Sequence, residues 1–250
     1  MPDPDPDYSL VVPAYNEEEL LPRTLASLRT AMAGIPLRGE IVVCDNNSTD
    51  GTAAVARAGG AVVVFEPVNQ IARARNAGAR AARGRWILFV DGDTEVPPEA
   101  LREALDLLAS GTVAGGGSVF HMDPTASRVG ALMVRLWNRI SRTFRLAAGS
   151  FLFVTRAAYD GAGGFPQSVY AGEELGFTLA VRRWGRRRGL GFRILHRHPV
   201  RTSNRKMEWY STWTILGTVL LFGLCPFLAR SRRFCAIWYR RPPKPVLPGA

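Results

Sequence analysis

Three short acidic clusters stand just after apolar, β-branched runs in this 250-residue chain. Tyr8–Val12 is followed by Pro13-Ala14-Tyr15-Asn16-Glu17, and Glu40–Cys44 by Asp45-Asn46-Asn47-Ser48-Thr49-Asp50-Gly51-Thr52. Arg85–Val90 is followed by Asp91-Gly92-Asp93. If the runs are parallel strands of one sheet, all three clusters share one edge. Carboxylates gathered there repel one another unless cations or hydrogen-bond donors lie among them. The Asp-Gly-Asp triplet suits a hard divalent cation, since two carboxylates supply oxygen ligands and glycine lets the backbone approach closely. Such a cation would neutralise a diphosphate. Taken alone, Asp45–Asp50 reads equally as a capped turn, with Ser48 or Asp50 starting the next helix.

Those strands need elements to hold them in register. Within Glu17–Met32, Leu20, Leu21, Leu25, Leu28 and Met32 recur at helical spacing. Thr52–Arg57 is a short helix, Ala61–Phe65 a strand, and Asn69–Arg83 an Ala/Arg-rich helix. Pro97-Pro98-Glu99 opens a helix through Leu108. Strands separated by single helices predict βαβ units and an α/β fold with a mainly parallel sheet. Ligands on such sheets bind at the carboxyl ends of the strands. Further on, strands are expected at Val113–Phe120, Ser150–Thr155 and Phe192–His196. Ala126–Leu146 reads as a basic amphipathic helix, and Gly172–Gly185 as a helix after the Gly161–Gly164 turn. Residues 1–7 read as a flexible acidic tail, 8–206 as one domain, and 207–250 as a basic and apolar C-terminal helical appendage.

The string Val11-Val12-Pro13-Ala14-Tyr15-Asn16-Glu17-Glu18, followed by Val42-Val43-Cys44-Asp45 and its acidic turn, resembles family 2 glycosyltransferases. Arg75-Asn76-Ala77-Gly78, Ala82-Arg83-Gly84 and Leu88-Phe89-Val90-Asp91-Gly92-Asp93 continue that pattern in order, so that it covers residues 8–100. The resemblance implies a GT-A type, Rossmann-like sandwich that binds a nucleotide sugar, uses Mn2+ or Mg2+ and inverts the anomeric centre. It makes 8–110 the nucleotide-sugar part and 111–206 the acceptor part. Pro13, Ala14, Tyr15 and Glu17 would line the nucleotide pocket, although Tyr15 reads equally as a core-edge residue. Asp45 would hydrogen-bond the base edge, with Asn47 in the same pocket, and Arg75 and Asn76 would sit near base or diphosphate. Asp91, with Gly92, would face the ribose and metal, and Asp93 would ligate the metal.

A second signature of the family is a Gly-Gly-Phe turn followed by a Glu-Asp pair opening a helix. Here Gly163-Gly164-Phe165 precedes Glu173-Glu174, so glutamate replaces the aspartate. On the resemblance, Glu174 would be the general base for the acceptor hydroxyl, with Glu173 the alternate or a supporting anchor. Both acids would also simply favour a helix N-terminus. In the late basic segment, Arg205 would contact the diphosphate or flank a membrane-facing stretch. His198 would complete the metal shell or be a packed or surface histidine. The expected reaction moves a sugar from a nucleoside-diphosphate sugar, with UDP favoured, to a carbohydrate or lipid-linked acceptor.

The net charge of +11 hides a division. Residues 1–120 hold 10 basic and 16 acidic side chains, and residues 121–250 hold 22 and 5. Such a basic half predicts an anionic partner, phosphate or an anionic membrane surface. At 47% hydrophobic and 21% charged, the composition excludes a disordered or collagen-like chain. Three scattered cysteines give neither a disulfide framework nor a zinc motif and fit a reducing compartment. The start lacks the basic and apolar regions of a signal peptide. Trp209–Ala229 carries no charge, and peripheral attachment at the inner face of the cell membrane is expected ahead of a buried helix or a true span. The absence of glycine from the turn after the first strand makes a nicotinamide dehydrogenase a poor reading. The carboxylate edge speaks against nucleic acid as a partner. A non-catalytic nucleotide-sugar-binding module is the alternative.

Overall fold

Both neighbours of the first strand run parallel to it, and that fixes the layout of the sheet. In the computed structural model, which describes residues 5–122, 128–205 and 209–239, β1 (Tyr8–Ala14) lies between β2 (Gly39–Asp45) and β4 (Trp86–Val90). Beyond β2 lies β3 (Val62–Phe65), also parallel. Helices α1 (Leu21–Ala33), α2 (Thr52–Ala58) and α3 (Ile71–Ala81) make the crossovers. β1 is buried along its whole length, which is why it reads as a continuous apolar run. Its side chains still alternate: Leu10 and Val12 pack with Leu21, Leu25 and Leu28, while Val11 packs with Val42, Ala72 and Ala79. Gly78 lets α3 close on the sheet, for a Cβ there would fall 2.4 Å from Val11 Cγ1.

The second half contributes β5 (Thr94–Glu95), α4 (Pro98–Ala109), β6 (Val113–Met122), α5 (Arg128–Phe144), β7 (Phe151–Thr155) and α6 (Arg156–Ala162). Then come α7 (Glu173–Arg186), β8 (Gly191–Thr202), α8 (Thr212–Leu224), a 3-10 turn at Pro226–Arg230, and α9 (Ala236–Tyr239). The sheet order is β3-β2-β1-β4-β7-β6-β8-β5. β7 enters antiparallel between β4 and β6, β8 lies parallel to β6, and β5 closes the edge antiparallel to β8.

Several boundaries differ from expectation for physical reasons. Pro13 does not stop β1: β4 pairs with it only as far as Val11, so the missing N–H falls where that side is open. β8 runs to Thr202 rather than ending at His196, but it bulges. Ser118 pairs with Leu195 and Phe120 with Val200, leaving His196–Pro199 opposite Val119 alone. Residues 5–7 are held, with Asp7 N–H donating to Arg38 O and its carboxylate 3.1 Å from Arg85, while 1–4 of the expected tail lie outside the described residues. Of the expected appendage, 207–208 and 240–250 also lie outside them. The uncharged run divides at Cys225, where the backbone leaves the helix at φ −131° ahead of Pro226. Among the described residues no helix is long and apolar enough to cross a membrane.

Candidate functional site

A cavity of about 290 Å3 opens at the carboxyl ends of β1 and β4. Pro13, Ala14, Tyr15 and Glu17 line it after β1, and Asp91, Gly92 and Asp93 line it after β4. Arg75 reaches it from α3, Glu173 and Glu174 from the first turn of α7, and Arg205 from beyond β8. Gly172 ends the approach to α7 at φ 74°, the left-handed conformation that turns the chain into the helix and aims both glutamates inward.

Arg75 is 1% exposed and pairs with two carboxylates. Its Nη1 donates to Glu173 Oε1 at 2.5 Å and its Nη2 to Asp91 Oδ1 at 2.8 Å. Burial lowers the guanidinium's affinity for its proton, but Asp91, Glu173 and Glu174 outweigh it and hold Arg75 above its ordinary value. Burial, with the Glu174 charge beside it, pushes the Glu173 carboxyl up against the pull of Arg75, to about 8. The two glutamates therefore differ: Glu173 is buried and committed to Arg75, and Glu174 is half-buried on the cavity wall. Arg75 Nε and Ser150 Oγ, on two residues that line the cavity, are buried without a hydrogen-bond partner among the described residues.

Asp93 sits among hydroxyls. Ser203 Oγ donates to its Oδ2 at 2.6 Å and Thr202 Oγ1 to its Oδ1 at 3.4 Å. Arg205 Nη2 donates to both Glu17 oxygens, at 2.7 and 2.9 Å, and lies 3.7 Å from Asp93. Burial lowers Arg205, and the hydrogen bonds and charge of Glu17, with Asp93, raise it overall. Asp91 and Asp93 give the cavity a two-carboxylate, oxygen-only donor set. Among the described residues no group of three His, Cys, Asp or Glu side chains gathers as a metal cluster. That set fits Mg2+ or Mn2+, ions that take one or two carboxylates and complete their shells with water and substrate phosphate.

Four expected residues do not line this cavity: Asp45, Asn47, Asn76 and His198. Asp45 Oδ1 instead accepts from Ser48 N–H at 3.0 Å, and Asn47 is exposed at φ 65°. Their turn splints the one after β1: Ser48 Oγ accepts from Asn16 N–H and Thr52 Oγ1 from Glu17 N–H. Asn76 is buried and pins the Gly163-Gly164-Phe165 turn. Its Nδ2 donates to Phe165 O, and its Oδ1 accepts from Phe165 N–H and Tyr159 OH, all at 2.8–2.9 Å. His198, carried off by the β8 bulge, lines a separate hollow with His121, Arg197 and Arg201 and is not among the groups facing Asp91 and Asp93.

Sequence reasoning held Ser203 only as part of the late basic segment and gave it no role of its own, and it missed Ser150, which no motif marks. It also missed Ile237, Trp238 and Tyr239, which cross the cavity from the C-terminal segment. Tyr239 OH donates to Tyr170 O at 2.9 Å, and Tyr170 N–H donates to Ala229 O at 2.6 Å, which ties the segment down.

A family model described as glycosyl transferase family 2 matches residues 9–161. Over 109 residues the chain is 38% identical to the succinoglycan biosynthesis protein ExoO of Rhizobium meliloti, covering 40% of this chain and 29% of that protein. Over 117 residues it is 34% identical to a dodecaprenyl-phosphate galacturonate synthase of Rhizobium johnstonii, covering 41% of this chain and 35% of that one. The chain thus spans about a third of the length of these curated relatives. Its fold is similar to that of a mannosyltransferase from Pyrobaculum calidifontis in complex with GDP-Man and Mn2+, with a TM-score of 0.65 at 21% identity over 97% of this chain and 67% of that one. The architecture is the α/β, GT-A type sandwich with a mainly parallel sheet.

Proposed function

The chain belongs to glycosyl transferase family 2, and from that membership and the cavity's geometry we propose that it is an inverting transferase. It moves a sugar from a nucleoside-diphosphate sugar, a UDP sugar first among those to test, to an acceptor hydroxyl or phosphate. The observation that carries this reading is the convergence of Asp91, Asp93 and Glu174 on one cavity of about 290 Å3 at the carboxyl ends of parallel strands. Asp91 and Asp93 would hold a divalent ion, which when bound supplies charge neutralisation for the departing diphosphate. Arg75 pairs with Asp91 and with Glu173, whose carboxyl is pushed toward its neutral form, so that the cavity tolerates its acidic groups without substrate.

Glu174 is the base. It lines the cavity, whereas Glu173 is held by Arg75 with a carboxyl pushed up toward neutrality. As the oxygen of a hydroxyl acceptor attacks the anomeric carbon, Glu174 takes its proton, and the bond to the diphosphate breaks on the opposite face; a phosphate acceptor attacks through an oxygen that is already ionised. The departing charge meets cationic groups already fixed in place, Arg75 and Arg205. The dodecaprenyl-phosphate galacturonate synthase among the relatives supports a lipid-linked acceptor, and so a place of work near a membrane.

Thermal unfolding with a panel of nucleotide sugars and Mn2+ or Mg2+ tests the reading. A donor that binds only the folded chain should raise the midpoint, and only with metal present. If no nucleotide sugar moves it, the reading fails.

A further inference from the structure

α5 is fastened to the cavity on both sides. Asn138 Nδ2 donates to Phe120 O at 2.9 Å and its Oδ1 accepts from Phe120 N–H at 3.3 Å. Phe120 and Met122, just before the helix in sequence, line the cavity, as do Ala148–Ser150 just after it. One side of α5 packs on the domain, burying Gly130 and Ser141. Elsewhere on its surface Val129, Leu132 and Leu136 are 46%, 64% and 57% exposed at spacings of three and four residues, one apolar stripe in water. Arg135, Arg139 and Arg142 are exposed alongside it. The helix contains no acidic residue, and the sequence has none between Asp123 and Asp160.

An apolar stripe edged by arginines, with no acid to moderate it, is the surface of a helix that lies in the headgroup region of a bilayer. We propose that α5 docks on an anionic lipid bilayer, with Leu132 and Leu136 at the acyl boundary and the neighbouring arginines on lipid phosphates. Docking sets the cavity beside the membrane surface, where a lipid-linked acceptor reaches it. That consequence rests on the transferase reading above; the docking itself does not. A second copy of the chain is the poorer occupant, because the same face would bring more arginines and no carboxylate to meet them.

Vesicle flotation tests this. The wild-type chain should float with phosphatidylcholine vesicles containing phosphatidylglycerol, less so in high salt, and stay behind with phosphatidylcholine alone. Leu132→Glu/Leu136→Glu and Arg135→Glu/Arg139→Glu should each lower partition by about tenfold or more. All four sites are exposed, so unfolding midpoints should hold. Three results would overturn the assignment: full binding by both double variants, loss only with Trp213→Glu/Leu224→Glu on α8, or a concentration-dependent dimer in sedimentation that Leu132→Glu/Leu136→Glu abolishes. The two readings fail separately: vesicle binding without any donor-induced thermal shift leaves the docking standing, and a donor shift without vesicle binding leaves the transferase standing.

Discussion

At Arg75 one buried positive charge faces Asp91 and Glu173, with Glu174 close by. A single guanidinium cannot balance three carboxylates, and the most buried of them gives way by holding its proton. Glu173 is raised from 4.5 to about 8. The folded chain therefore binds this proton more tightly than the unfolded chain across that window. Its contribution to stability is full below pH 4.5 and is lost as pH rises through about 8. Glu173→Gln keeps an oxygen for Arg75 and removes the titration. Urea midpoints at acid and mildly alkaline pH should fall less in the variant than in the wild type; an equal fall would contradict the assignment. Asp93 faces the Ser203 hydroxyl and Arg205 at the cavity. Asp93→Asn should leave the fold intact and abolish the metal dependence of donor binding, read as a thermal shift that no longer responds to Mn2+.

Among the elements, α7 matters most, because its first turn presents Glu174. What holds that turn is the Gly-Gly-Phe loop, and what holds the loop is Asn76 on α3 together with Phe165, stacked on Phe177 at 4.1 Å and edge-on to Phe89. Asn76→Ala leaves Phe165 N–H, Phe165 O and Tyr159 OH without this partner, and should cost about 2–4 kcal/mol in urea unfolding. Donor binding should survive while nucleotide release slows, since α7 loses its anchor but Asp91 and Asp93 keep theirs. Unchanged release would place the control of α7 elsewhere. The strands and helices of the first half were legible in sequence because each βα unit carries its own period, as Leu21, Leu25 and Leu28 do on α1. Asn76 was not legible as a pin: a motif asparagine looks the same whether its amide meets a ligand or a loop some 90 residues away. For His198 the sequence left metal ligand and packed or surface histidine open, and the β8 bulge that places it beside His121, Arg197 and Arg201 is announced by no residue type.

On the scale of the molecule, the acidic first half and the basic second half occupy different sides of one task. The first half supplies Asp91 and Asp93 at the ends of parallel strands, and the second supplies Glu174, Arg205 and the arginine-edged face of α5. The parallel direction of the first strands followed from their alternation with helices. The antiparallel entry of β7 between β4 and β6 did not, because no local pattern distinguishes a strand's direction. Nor could the C-terminal segment be placed over the cavity from sequence, since the bonds from Tyr239 and Ala229 to Tyr170 that tie it down are long-range. The most direct measurement is release of nucleoside diphosphate from a donor that binds, in the presence of Mn2+ and acceptor, by the wild-type chain and by Glu174→Gln. Release by the variant should fall by about a hundredfold to ten-thousandfold while the donor still raises its unfolding midpoint. Wild-type release from Glu174→Gln would contradict the assignment of Glu174 as the base.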